Sequence, residues 1–216
     1  MLKASMDVLK KELMESASLV EGMIGKSIRG LKEKDEGLLL TVIEQDEPRE
    51  NELEISIDEA CINLVACYQP HAKDLRTIMM ILKMNNDFER MADEAENICE
   101  SALFLIKQPE VKRLIDIPRM GEEATKMIRD SLDSFINEDA QLARSVCERD
   151  DEVDDLNDQI FRELLTYMMQ DPKTIEKAVE LILVGRHLER IADHATNIGE
   201  DVIYFVKGKT IKHHCA

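Results

Sequence analysis

Apolar residues recur every three or four positions along almost the whole chain, as they do on the buried face of an amphipathic helix. The two longest stripes consist of Phe88, Met91, Ala95, Ile98, Ala102 and Leu105, and of Leu188, Ile191, Ala195, Ile198 and Val202. No segment of comparable length alternates with the period of two that a half-buried strand requires. The pattern therefore predicts an all-α protein.

Helix-breaking residues divide this pattern into six helices, three in each half of the chain. The predicted helices cover about residues 3–32, 36–68, 71–107, 119–136, 139–169 and 173–207. The stretch from Pro109 to Pro118 is the least helical and is the predicted junction between the halves. Short loops between long helices favour antiparallel neighbours. We therefore predict two tandem, pseudo-symmetric three-helix bundles, at residues 1–112 and 113–216.

The third predicted helix of each half contains the same segment, repeated 100 residues apart. Residues 84–100 read MNNDFERMADEAENICE, and residues 184–200 read VGRHLERIADHATNIGE. Both copies carry Glu, Asp and Asn at positions i, i+4 and i+8: Glu89, Asp93 and Asn97, and Glu189, Asp193 and Asn197. Residues with this spacing lie along one side of a helix. Each copy thus presents a stripe of oxygen ligands beside its apolar stripe.

The second helix of each half also carries a pair of oxygen ligands spaced by four. Aligning Leu53 and Ile57 with the residues 103 positions later pairs Glu47 and Asn51 with Asp150 and Asp154. A second register, with Glu50 and Glu54, stays open in the first half because Pro48 can distort the helix there.

Facing carboxylates repel each other and raise each other's pKa, a penalty that a multivalent cation removes. Oxygen ligands suit hard ions such as Mg²⁺, Mn²⁺, Ca²⁺ or Fe³⁺, and helical bundles build such sites from facing helices. The candidate metal ligands are Glu47, Asn51, Glu89, Asp93, Asn97, Asp150, Asp154, Glu189, Asp193 and Asn197. Two alternatives stay open: the acids form a solvated surface with ion pairs, and Asn97 and Asn197 fit equally well as hydrogen-bond partners between helices.

The overall charge argues against nucleic-acid binding. The chain has 28 basic and 45 acidic residues, a formal net charge of −17, which repels phosphate backbones. The chain has five cysteines, an odd number, and no CxxC motif, which is typical of a protein in a reducing compartment. The N-terminus lacks the features of a signal peptide, and the apolar runs are too short to span a membrane. We expect a cytoplasmic location.

Nothing in the sequence supports nucleophilic catalysis, because it contains no nucleophile elbow, phosphate loop or zinc-protease motif. Two functions of different classes stay open for the acidic stripes. One is a metal-dependent hydrolase with carboxylate-bridged ions. The other is a purely structural helical interaction module. His194 directly follows Asp193 and therefore points about 100° away from it, so we expect a surface or partner-contact residue there rather than a metal ligand.

Several motifs together resemble the PhoU family of phosphate-signalling regulators. They are QPHAKDLR (69–76), DFERMADEAENI (87–98), HLERIADHATNI (187–198) and VIYFVKG (202–208), and ELEISIDEAC (52–61) also fits. The resemblance implies a cytoplasmic, non-enzymatic negative regulator that links the ATPase subunit of the phosphate ABC transporter to a sensor histidine kinase. It also implies a homodimer.

The resemblance further implies multinuclear metal clusters, with iron, zinc, manganese or magnesium as candidate ions. Their ligands would be Glu89 and Asp93 with Glu47 and Asn51 in the first half, and the corresponding acids in the second half. Pro48 and Asn51 depart from the paired acidic motifs. We therefore expect fewer charges at the first site and tighter metal binding at the second.

Overall fold

The structure, a computed structural model, describes residues 2–207, which are helical almost throughout and contain no strand. The first bundle contains α1 (Leu2–Glu33), α2 (Glu36–Thr41), α3 (Glu47–Tyr68) and α4 (Ala72–Leu105). The second contains α5 (Asp116–Ile136), α6 (Ala140–Gln170) and α7 (Ile175–Lys207). A π-helical segment, Val42–Asp46, joins α2 to α3, and a 3₁₀ turn, Pro172–Thr174, precedes α7. α2, the π-helical segment and α3 run without a break and together form the second predicted helix. The predicted all-α fold of two three-helix bundles is confirmed.

Local sequence signals explain where the helices begin. Asp35 and Asp139 are N-caps whose carboxylates accept hydrogen bonds from backbone amides of the first turn, which satisfies donors that otherwise lack partners. α5 starts at Asp116, three residues earlier than predicted, because a proline such as Pro118 is tolerated in the first turn of a helix.

The two repeat helices, α4 and α7, pack against each other across the junction, and α1 packs against α5. Gly121 permits the second of these contacts, because a Cβ at this position would lie 2.9 Å from Ile28 Cγ1. Buried apolar residues from all the long helices therefore form one continuous core. Since long helices gain most of their stability from packed apolar faces, the two bundles stabilise each other.

Cys61, Cys99 and Cys147 are buried in this core, as expected for thiols that pack as small apolar groups. Cys215 lies outside the described residues. No helix within residues 2–207 has the length and hydropathy of a membrane span.

Candidate metal centre

Three carboxylates of the first bundle converge where α3 begins beside α4. One ligand oxygen from each of Glu47, Asp93 and Glu96 lies within 4.8 Å of the others. Asp93 is exposed, while Glu47 and Glu96 are half-buried. Burial, then the neighbouring Glu47 and Glu100, raise the pKa of Glu96. Such convergence of like charges favours a bound cation.

The π-helical segment sets the register that delivers Glu47 to this site. Buried residues align between the halves as follows: Leu39 and Val42 with Ala143 and Val146, then Leu53 and Ile57 with Leu156 and Ile160. The aligned residues are 104 positions apart before the π-helical segment and 103 positions apart after it. The first half therefore contains one extra residue in this region. A π turn absorbs one extra residue without ending the helix, and such turns are frequent at functional sites. Pro48 is the second residue of α3, just after this segment, and has no backbone N–H to donate to the preceding turn.

Glu50 and Glu54, the residues of the second possible register, also lie at this site. Glu50 is fully buried, and its Oε1 accepts a hydrogen bond from the Ser16 hydroxyl at 2.6 Å, while its Oε2 has no partner. Burial, opposed by that hydrogen bond and reinforced by the charges of Glu54 and Glu89, raises the pKa of Glu50 to about 7. Burial, then the adjacent Asp93, raises the pKa of Glu89. Glu50 and Glu54 therefore face Glu89, while Glu47 faces Asp93 and Glu96.

We call these linked side chains the first acidic cluster: Glu47, Glu50, Glu54, Glu89, Asp93 and Glu96. The expectation of fewer charges in the first half is wrong. Glu50, Glu54 and Glu96 occupy the positions that Val153, Asn157 and Thr196 hold in the second half, so the first half has the larger number of acids.

The second acidic cluster consists of Asp150 and Asp154 on α6 with Glu189 and Asp193 on α7. Burial, then Asp193 and Asp154, raise the pKa of Asp150 to about 6. Burial, then Asp154 and Asp193, raise the pKa of Glu189. The Oδ1 atom of Asp150 is buried and makes no hydrogen bond. Within residues 2–207, only the first cluster brings three ligand oxygens as close as 4.8 Å.

Asn157 completes the second cluster from α6. Its amide donates to Glu189 (Nδ2 to Oε2, 2.5 Å), and it fits because residue 185 is glycine. A Cβ at Gly185 would lie 2.7 Å from Asn157 Oδ1. Asn157 was not among the predicted site residues, and no sequence signal identified it.

The three predicted asparagine ligands lie in different surroundings. The Asn51 amide donates to the Glu47 carboxylate, which orients that ligand. Asn97 is half-buried on α4. Asn197 is exposed and borders a groove between α4 and α7 that Lys83 and Asp87 also line.

Helix geometry explains why Glu96 joins the first cluster. Residues i+7 and i+8 lie about 20° and about 80° from residue i around a helix axis. Glu96 stands seven positions after Glu89 and therefore stays closer to its face than Asn97 does. The repeat predicted Asn97 as a ligand because an asparagine recurs at position 197. It gave no such signal for Glu96, because the equivalent residue is Thr196.

His194 lies in the interface between the two bundles, where it contacts an acid of α4. Its Nδ1 lies 2.9 Å from Asp87 Oδ1 on α4, and its side chain is only 15% exposed. His187 lies in the same interface, with Nδ1 2.5 Å from Glu94 Oε2. Both histidines therefore connect the two bundles.

A family model described as "PhoU domain" matches residues 13–102 and again residues 117–202. The chain belongs to the PhoU family. The boundary that we predict between the two domains, at residues 112 and 113, falls between the two matched stretches and stays a prediction. The first acidic cluster lies within the first matched stretch and the second cluster within the other, so each PhoU domain carries one.

PhoU relatives from several bacteria resemble nearly the whole chain. A phosphate-specific transport system accessory protein PhoU homologue of Aquifex aeolicus is 43% identical over 94% of this chain and 92% of its own. The phosphate-specific transport system accessory protein PhoU of Escherichia coli is 34% identical over 97% and 87%. The crystal structure of PhoU from Pseudomonas aeruginosa superposes with a TM-score of 0.92, at 38% identity, covering 97% of this chain and all of the other.

Proposed function

We propose that this protein is a cytoplasmic, non-catalytic regulator of phosphate uptake that damps phosphate-starvation signalling. The observation that carries the proposal is the PhoU domain match in both halves, together with relatives named as phosphate-specific transport system accessory proteins. In this role the protein connects the ATPase subunit of a phosphate ABC transporter to a sensor histidine kinase. Such coupling requires different affinities for at least two states of a partner.

The acidic surface supports an adaptor role. A net charge of −17 favours partners with basic patches and makes association sensitive to salt. We further propose that the protein acts as a homodimer, and that partners alone bring it to the membrane.

Metal ions belong to this proposal as structural cofactors, with iron, zinc, manganese and magnesium as candidates. The fit of the residues rests on two observations: three converging carboxylates in the first cluster, and buried carboxylate oxygens without partners on Glu50 and Asp150. Glu47, Asp93 and Glu96 would hold the ion of the first cluster, and the acids of the second cluster a second one. A bound cation would neutralise the facing carboxylates and so stabilise each bundle.

A bacterium that lacks its own PhoU tests the regulatory role. A reporter gene under a phosphate-starvation promoter should become silent in phosphate-rich medium when this chain is expressed, and the chain should copurify with the transporter's ATPase subunit. The P. aeruginosa relative serves as the positive control, and the core variant Phe88→Asp as the unfolded control. An active reporter, with a folded and abundant chain and a working positive control, would refute the proposal.

A further inference from the structure

A cavity of about 250 Å³ lies at the end of the molecule where the two bundles meet. The C-terminal ends of α1 and α4, the 105–114 segment and the first turns of α7 surround it. Its volume lies just below the range of about 300–1,000 Å³ for typical ligand pockets, so it suits a small organic molecule.

Basic residues dominate the charged lining of this cavity. They are Lys32, Lys34, Lys112, Arg113 and Lys177, against Glu110 as the one acidic lining residue. The chain as a whole has the opposite balance, with 45 acidic and 28 basic residues. A local reversal of charge around a concave site concentrates anions there.

Internal ion pairs neutralise only part of this positive charge. Lys34 pairs with Glu110 at 2.8 Å, and the largely buried Lys112 contacts Glu163 and Asp116. The Lys177 ammonium donates to the Pro109 carbonyl at 3.2 Å. Three carboxylates contact two of the five cations, Lys34 and Lys112, so these eight groups together keep a formal charge of +2. Among the described residues, Lys32 and Arg113 make no side-chain hydrogen bond or ion pair.

The rest of the lining is apolar, with Leu31, Leu105, Ile106, Val111, Leu114 and Leu181. A bare inorganic anion would leave this surface without a partner, whereas an anion with an apolar body would cover it. Arg and Lys are the residues that bind phosphate oxygens through charge-assisted hydrogen bonds.

We propose that this junction cavity binds a small phosphate monoester, with its phosphate between Lys32, Arg113 and Lys177 and its organic group against the apolar wall. A phosphate monoester carries about 1.5–2 negative charges at neutral pH, which matches the net formal charge of +2 left on the lining and its ion-pair partners. Because the lining comes from both bundles, the ligand would join them at the end where the chain passes from one to the other. The site is separate from both acidic clusters, and the proposal does not depend on the regulatory role.

Titration of the isotope-labelled full chain with phenyl phosphate, followed by amide NMR, tests the site. We expect saturable shifts in residues 105–114 and around Lys177, with at least tenfold weaker binding of inorganic phosphate and of benzoate. Lys32→Glu with Arg113→Glu should weaken phenyl phosphate binding at least tenfold. These two side chains make no described polar contact, so the variant should keep its fold.

Lys126→Glu is the matched control, because Lys126 is an exposed lysine of α5 away from the cavity. It should bind phenyl phosphate like the parent. Shifts that stay linear or spread over the surface would overturn the site, as would an equal loss in the control. Equal affinity for inorganic phosphate or for benzoate would overturn the ligand class.

Discussion

His187 on α7 contacts the buried carboxylate of Glu94 on α4, with 2.5 Å between Nδ1 and Oε2. Arg190 Nη1 also contacts Glu94, at 2.8 Å. The contact has a counterpart at the positions 100 residues away, where His194 meets Asp87 at 2.9 Å. The repeat relates position 87 to 187 and position 94 to 194, so the two pairs exchange under the internal pseudo-symmetry. Each pair joins an acid of α4 to a histidine of α7, and each acid occupies the position that a histidine holds in the other half. The two pairs therefore hold the bundles together.

Glu94→Gln should destabilise the protein, because it removes the buried counter-charge of Arg190 and the carboxylate that contacts His187. A hydrogen bond to a charged group contributes about 1.5–3 kcal/mol, so we expect the free energy of unfolding to fall by about 2 kcal/mol in urea denaturation. Glu100→Gln, an exposed acid of the same helix, should change it by less than about 0.5 kcal/mol. Equal effects of the two substitutions would show that the buried contact does not stabilise the junction.

Glu50→Gln should stabilise the metal-free protein at neutral pH. Burial raises the pKa of Glu50 from 4.5 to about 7 in the folded state, so the folded protein binds the proton more tightly than the unfolded chain. Its contribution to stability is present below about pH 4.5 and is lost as the pH rises to about 7. At pH 8 the variant should be more stable by on the order of 3 kcal/mol, and it should show a flatter pH profile.

Urea unfolding of chelator-treated protein between pH 5 and 8 measures this profile. Glu59→Gln removes an exposed acid of the same helix and should keep the profile of the parent. A Glu50→Gln variant that follows the parent at every pH would contradict the raised pKa of this buried carboxyl group.

Asp93→Asn with Glu96→Gln should remove metal from the first acidic cluster, because it replaces two of the three converging carboxylates with neutral amides. We expect metal affinity at this cluster to fall at least tenfold and the melting temperature to lose most of its sensitivity to chelation. Elemental analysis of protein purified without an affinity metal column, with melting before and after chelation, measures both quantities.

Glu59→Gln with Asp74→Asn makes the same charge change at exposed positions of α3 and α4, the two helices that form the cluster, and should keep the metal. Asp150→Asn with Asp193→Asn tests the second cluster separately. We expect a smaller loss of metal from this variant than from the first, because the second cluster contains fewer acids than the first cluster does. Unchanged metal content in both double variants would show that neither cluster is a metal site.

Gly185→Ala should weaken metal binding at the second cluster with little cost in stability. Its Cβ would displace the Asn157 amide that donates to Glu189, while the side chain of Asn157 can move away. Alanine also favours a helix interior by about 0.5–1 kcal/mol over glycine. Gly22→Ala is the matched control, since a Cβ there meets no atom within 4 Å; it should raise stability and leave metal affinity unchanged. Parent-like metal affinity in Gly185→Ala would exclude a role for Asn157 at this cluster.

The sequence by itself determined the fold class, the six long helices and the internal duplication. These features depend on local periodicity and on residues such as Asp139 and Pro118, which act within one helical turn. It also identified one acidic stripe on each repeat helix, because spacing of four fixes a helical face without knowledge of the partner helix.

Tertiary structure decided which side chains meet. The sequence left Glu47 and Glu50 as alternative registers, but the π turn before Pro48 makes room for both around α4. The pairing of His187 with Glu94 was invisible in the sequence because it depends on how α4 packs against α7. Charges and hydrogen-bond partners more than ninety residues apart come together only when buried apolar faces bring their helices into contact, and that contact depends on the whole core rather than on any single helix.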